Sequence, residues 1–223
     1  MKKFLACILA ASLMLLGTQA YAQLVVGAGY LHTIENTKTT EGKAVGKPDH
    51  MNGFYLGASY NIRFSDYFGV APGFYVNMLF QSMNNAEGGN FGGILLSGSA
   101  SYNYTEVALN LPVNLTLNVP ISDNVDFFAF AGPTFQYGVM ARSTFNTAAS
   151  VGVIHYSKGD SYNHYGKDGD GKPFNILLGG GVGVEIGDLQ FLVGYDHTLM
   201  NVSKIDGYKV GRHQIKAGIN FAF

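Results

Sequence analysis

Along most of this chain, apolar side chains recur at every second position. The closing stretch shows it most cleanly. Ile215, Ala217, Ile219, Phe221 and Phe223 fall on one face, and Gln214, Lys216, Gly218, Asn220 and Ala222 on the other. Successive side chains of a strand point to opposite faces, so a period of two predicts a strand that is greasy on one side only. Seven further segments, opening at Leu24, Phe54, Phe68, Val107, Val125, Phe174 and Leu189, repeat the alternation. Most run to about nine residues or more, the length a tilted strand needs to cross a bilayer.

The connections between segments alternate in length. Ser65-Asp66, Val119 to Asn124 and Gly187-Asp188 are short links, whereas the stretches near 33–52, 81–103, 141–173 and 198–212 are long. That rhythm is the short periplasmic turn and long extracellular loop of an outer-membrane barrel. A soluble lipocalin-like barrel would turn its apolar face inward and has no need of the asymmetry. The pattern therefore predicts an all-β fold: an eight-stranded antiparallel up-and-down transmembrane β-barrel with its N-terminus periplasmic. Outward Phe64, Phe68, Phe127, Phe191, Phe221 and Phe223 then make a periplasmic aromatic girdle. Tyr30, Phe54, Phe80, Tyr137, Phe174 and Tyr195 make the outer one. Pro72, Pro112 and Pro133 interrupt predicted strands. Proline cannot donate to a ladder, so a bulge or an unpaired position is expected at each.

The N-terminal segment fits export. Met1-Lys2-Lys3 is basic, Phe4 to Leu16 is apolar, and Ala20-Tyr21-Ala22 has the small-x-small cleavage pattern. Residues 1–22 read as a signal peptide and 23–223 as the barrel domain. Cys7, the single cysteine, lies within the apolar part, so the exported chain has no thiol for disulfides, catalysis or metal binding. The 14 bases less Lys2 and Lys3 leave 12 against 15 acids, and no basic stripe suggests nucleic acid. Charged residues are 13% of the chain, about half the usual share. No apolar run after the signal reaches the roughly 20 residues of a transmembrane helix, so any membrane crossing rests on strands.

Three stretches carry a resemblance: Leu109-Asn-Leu-Pro-Val-Asn-Leu-Thr116, Phe127-Phe-Ala-Phe-Ala-Gly-Pro133 and the closing Ile219-Asn-Phe-Ala-Phe223. In them the chain resembles the small outer-membrane barrel ("porin family") proteins of Bacteroidetes, relatives in shape of OmpX and the OmpA barrel. Asn110 stands where that family often has Glu. The resemblance implies an eight-stranded barrel in a Gram-negative outer membrane and no common active site. Partners expected of such a protein are outer-membrane lipid and the barrel assembly machinery, the latter reading the C-terminal strand with Phe223 as its signal. A monomer is expected.

Candidate chemistry is sparse. Inward Glu106, Asp196 and Lys216 form an outer tier of charge; Arg63, Asp126 and Glu185 form a periplasmic one. An eight-stranded barrel is just wide enough for its side chains to fill, so these six should pair into a lumen polar network. Rings of charge can also set ion selectivity, and inward glycines would leave water-sized gaps, which keeps a small passive channel open as the alternative. The six histidines, His32, His50, His155, His164, His197 and His213, all fall toward the outer end, without spacing that fixes two metal ligands together. Lys167-Asp-Gly-Asp-Gly-Lys172 looks like a fragment of a calcium loop but lacks the later ligands, and reads as a Gly/Asp turn. Serine-based lipid chemistry needs Ser, His and an acid in hydrogen-bond reach. Outward His197 has Tyr195 and Leu199 as neighbours on its strand, not serine. No cofactor, metal or enzymatic activity is expected. The long outer loops, Tyr156, Tyr162 and Tyr165 among them, are the expected place of function, toward a protein or glycan ligand.

Overall fold

The computed structural model of the chain describes residues 21–91, 94–151 and 154–223, with the side chains at 21, 87–96 and 151–155 set aside. The proposed signal peptide falls almost wholly outside these residues, as does the side chain of His155. Nine strands follow one another: β1 (Tyr21–Thr39), β2 (Asp49–Arg63), β3 (Phe68–Phe91), β4 (Ile94–Ser122), β5 (Val125–Val151), β6 (Ile154–Asn163), β7 (Phe174–Ile186), β8 (Leu189–Thr198) and β9 (Tyr208–Ala222). Eight close a ring in the order β1-β2-β3-β4-β5-β7-β8-β9, because β9 pairs back with β1 and β4 pairs with β5. All neighbours are antiparallel. β6 stands outside the ring, paired along β5.

Polarity is arranged inside out relative to a soluble barrel. The outer wall carries exposed Leu56, Leu115, Val193 and Ile219, with Leu115 at 66% exposure, while Asn61, Asn77, Asn110, Gln136, Asn175, Gln190 and Asn220 are buried inside. Water on the outside would penalise such a wall at about 25 cal/mol per Å² of apolar surface; hydrocarbon does not. Ring closure then satisfies the backbone groups that lipid cannot. The aromatic residues assigned to the girdles lie on this outer wall, exposed except for half-buried Phe127. On a denaturing gel, boiled and unboiled protein should migrate differently; identical mobility of membrane-inserted material would contradict a closed ring.

Two of the long connections are not loops. The predicted 81–103 loop is a continuation of β3 and β4, and most of 141–173 is a continuation of β5 joined to β6. β3, β4, β5 and β6 thus extend beyond the barrel rim as a four-stranded blade. Its strands are rich in Ser, Asn, Ala and Gly, so alternation of apolar and polar residues could not announce them. Small and polar residues on both faces give a strand with no greasy side.

The prolines interrupt the ladder without bulging it. Pairing skips 60–61 opposite 71–72, 73–74 opposite 111–112, and 113–114 opposite 132–133. Each proline sits in one gap while pairing normally on its other side: Pro72 with Val113, Pro112 with Thr134, Pro133 with Leu178. The missing donor faces one neighbour only, which is why one seam breaks and the other holds. The register shifts in the described strands lie elsewhere, at Val107/Ala108 and Pro120/Ser122 on β4.

The first of those shifts matters most. Val107 pairs with Met140 and Ala108 with Gly138, so β5 has one extra residue there. Val139 and Met140 both point outward, at 56% and 36% exposure, and the inside-outside parity reverses above them. Ala141 is fully buried and Ser143, at 9% exposure, faces the interior.

Candidate functional site at the outer mouth

The lumen is filled, and the inward glycines are part of the filling. A Cβ on Gly218 would lie 1.9 Å from Tyr55 Oη, and one on Gly29 2.6 Å from the same ring. Phe130 occupies the space beside Gly181 and Phe128 that beside Gly183. The absent side chains are therefore seats for aromatic rings, not the water-sized gaps expected. What remains is an internal cavity of about 120 Å³ lined by Asn61, Asn77, Asn114, Thr116 and Asp196 among others.

The inward charges form three separate groups rather than two tiers. Lys216 donates to Asp196 Oδ2 at 2.8 Å and lies 5.4 Å from the centre of the Phe130 ring. Toward the periplasmic end, Gln190 donates to Glu185 at 2.9 Å and accepts from Asn220 at 3.1 Å. Glu106 does not join Asp196 and Lys216. Its carboxylate takes Arg212 Nη1 on both oxygens, at 2.8 and 2.9 Å, with the Tyr104 hydroxyl at 2.6 Å and the Tyr165 hydroxyl at 2.8 Å. Arg212 Nε continues to Glu35 at 2.6 Å. Arg63 and Asp126 have no side-chain hydrogen bond or ion pair among the described residues. Arg212 and Glu35 were missed from the sequence because both lie beyond the span assigned to the barrel, in stretches read as loops.

This group forms the floor of the outer mouth. Leu31, Leu79 and Tyr104 are buried around it, and Tyr165 reaches down from the segment after β6 to cap it. Burial and the Glu106 carboxylate both push the Tyr165 phenol above its ordinary value, which keeps it protonated and donating. Above the floor opens a vestibule of about 350 Å³, lined by Met51, Tyr102, Tyr104, His164, Asp170, Lys172, Tyr208 and Arg212 among others. It shares no lining residue with the internal cavity.

Histidines are brought together in ways their spacing did not show. On the outer face of the rim, His50 Nδ1 lies 3.3 Å from His32 Nε2, and the rings of His197 and His213 are 4.6 Å apart, with Tyr195 bonded to His213. These are two separate pairs, and among the described residues no third ligand completes a metal site. His164 is different: it lies inside the mouth. Its Nε2 is 3.0 Å from Ser143 Oγ and its Nδ1 is 2.7 Å from Asp170 Oδ1. Asp170 belongs to the Gly/Asp turn. A Cβ on Gly169 would stand 2.1 Å from the His164 carbonyl oxygen, so that glycine lets the turn close onto the histidine.

A closed eight-strand ring with a lipid-facing apolar wall and a polar, packed interior defines a small outer-membrane β-barrel protein. The comparisons agree: residues 19–204 match the family model for the outer membrane protein beta-barrel domain, and the chain belongs to that family. No curated protein matches the chain. Solved structures of similar shape include Ail of Yersinia pestis, in complex with the heparin analogue sucrose octasulfate, at 17% identity. That match covers 90% of this chain and 99% of that one, with a TM-score of 0.33. Neisserial surface protein A follows at 13% identity, 90% and 97% coverage and TM-score 0.36. The outer membrane enzyme PagL stands at 11%, 86% and 98%, and 0.32. At these identities and TM-scores the likeness carries no functional detail.

Proposed function

We propose that this protein is a sealed barrel of the outer membrane that works at its outer mouth and blade rather than by conducting solutes. One observation carries the reading: the Glu106, Arg212, Glu35 and Tyr165 cluster spans the interior between vestibule and internal cavity. A charge-assisted pair in which one guanidinium nitrogen meets both carboxylate oxygens, closed by two further hydroxyl donors, is strong in a low-dielectric interior and opens at high cost. The passive-channel alternative needs that cluster to part. Exposed Tyr156 and Tyr162 on β6 offer contact chemistry to a protein or glycan. Export by the N-terminal signal, a Bacteroidetes-type affiliation and insertion through the C-terminal strand belong to the same proposal.

The test is single-channel recording of refolded, heat-modifiable protein in a planar bilayer. The expected trace is flat. Discrete, reproducible steps from wild-type protein would overturn the sealed reading.

A further inference from the structure

Ser143, His164 and Asp170 stand in an order that has a chemical meaning. Asp170 Oδ1 accepts from His164 Nδ1, so that nitrogen carries the proton and Nε2 is left as the base. The lone pair of Nε2 receives the Ser143 hydroxyl at 3.0 Å. Three elements supply the parts: β5 the serine, the first residue after β6 the histidine, and the Gly/Asp turn the acid.

The base is held from every side. Tyr104 and Tyr162 pack edge-on against its ring, at 5.5 and 4.9 Å between centroids and near-perpendicular angles. Its backbone N–H donates to Ala141 at 2.8 Å and its carbonyl accepts from Gly171 at 2.9 Å. The Tyr162 hydroxyl fastens the turn through the Asp168 carbonyl at 3.0 Å. Such fixing of a general base and its orienting acid is what nucleophilic catalysis asks of a scaffold. The blander role, a staple holding the turn to the blade, needs only one of the two hydrogen bonds and no particular order.

We propose that Ser143, His164 and Asp170 are a nucleophilic triad that cleaves small carboxylic esters entering the vestibule from outside the cell. The proposal goes beyond the sealed-barrel reading and leans on it in one respect: with the floor closed, the outer opening is the entry. Ser143 Oγ bonds to the acyl carbon while its proton passes to His164 Nε2. The carbon–oxygen bond to the alcohol breaks, and the alcohol leaves with that proton. Water then attacks the acyl-serine, gives its proton to His164, and Ser143 recovers one as the carboxylic acid departs. Tyr102 stands in the vestibule wall with His164 and Asp170. His164 and Asp170 share that wall with apolar Met51, Val202 and Tyr208, and buried Ser143, 9% exposed, lies behind His164, so the substrate's acyl group must pass that ring to reach it.

The experiment uses membrane-inserted, heat-modifiable protein and a fluorophosphonate probe, with p-nitrophenyl butyrate as substrate. Label should appear on the peptide containing Ser143 and vanish in S143A. Ester hydrolysis should fall about 10²–10⁴-fold in H164Q and in D170N. A second variant guards against misfolding: S143C in a C7S background gives one thiol. With His164 beside it, that thiol should be alkylated by iodoacetamide well below the ordinary thiol range of about 8.5, and H164Q should remove the advantage. Heat-modifiable wild-type protein that takes no label, label that persists in S143A, or S143C alkylation indifferent to His164 would each overturn the triad. A conducting bilayer trace would sink the sealed reading alone, since it leaves these readouts untouched.

Discussion

Arg212→Ala should be the most damaging single substitution in the interior, lowering stability by about 3–5 kcal/mol. The reason is what it leaves behind. Glu106 is buried and would be left with Tyr104 and Tyr165 as its remaining donors, either as an uncompensated charge or at the cost of taking up a proton. Two neutral hydroxyls do not replace a guanidinium that meets both carboxylate oxygens. Glu35, held by the Nε of the same guanidinium, loses its partner too. Comparing R212A with E106Q separates the two contributions, because E106Q removes the stranded charge while keeping oxygen for the hydroxyls. The measurement is the temperature or denaturant concentration at which the compact gel band is lost. R212A should fall well below wild type and the E106Q/R212A double variant should recover part of the deficit. Equal loss in single and double variants would mean that the charge pair contributes little to holding the mouth closed.

Gly218→Val should rank next, at about 1–3 kcal/mol, by overpacking. Tyr55 is buried with its hydroxyl against Gly218, and Ala28 presents its carbonyl oxygen 2.8 Å from where the new Cβ would be. The ring can leave only by disturbing Tyr75, whose ring meets it edge-on at 5.8 Å. Y55L, which vacates the seat, should soften the effect, so G218V and Y55L should be strongly non-additive in a double-mutant cycle read by the same unfolding assay. Simple additivity would show that the glycine has no special relation to that ring.

The ring of strands was readable because a lipid-facing wall forces a strict period of two, and Ile215 to Phe223 or Phe54 to Phe64 have no other reason to alternate. The blade was not readable, because Ser97 to Asn103 and Thr144 to Ser150 have no apolar face to alternate with. The Lys216 and Asp196 contact follows from adjacent strands and common inward parity. The partners of Glu106 did not follow, since Arg212 and Glu35 were placed in loops. Ser143 was hidden by one residue. Continued parity from Val125 to Val139 places Ala141 and Ser143 toward lipid, and the extra residue in β5 turns them inward. A bulge leaves no mark in composition, so the Ser143, His164 and Asp170 grouping could not be found by spacing. The clue that was present was the Gly/Asp turn, whose second aspartate has a partner in the mouth.

The row of prolines gives the tube an unequal wall. From β5 through β7, β8 and β9 to β1 and β2 the described ladders run without a skipped pair. The three seams from β2 to β5 are each unlaced at one neighbouring level. Squeezed by the lipid around it, such a cylinder has one flank that bends and another that stays stiff. The side with the fewest ladder pairs lies along the proline row, beside the internal cavity, while the unbroken flank keeps β9 sewn to β1.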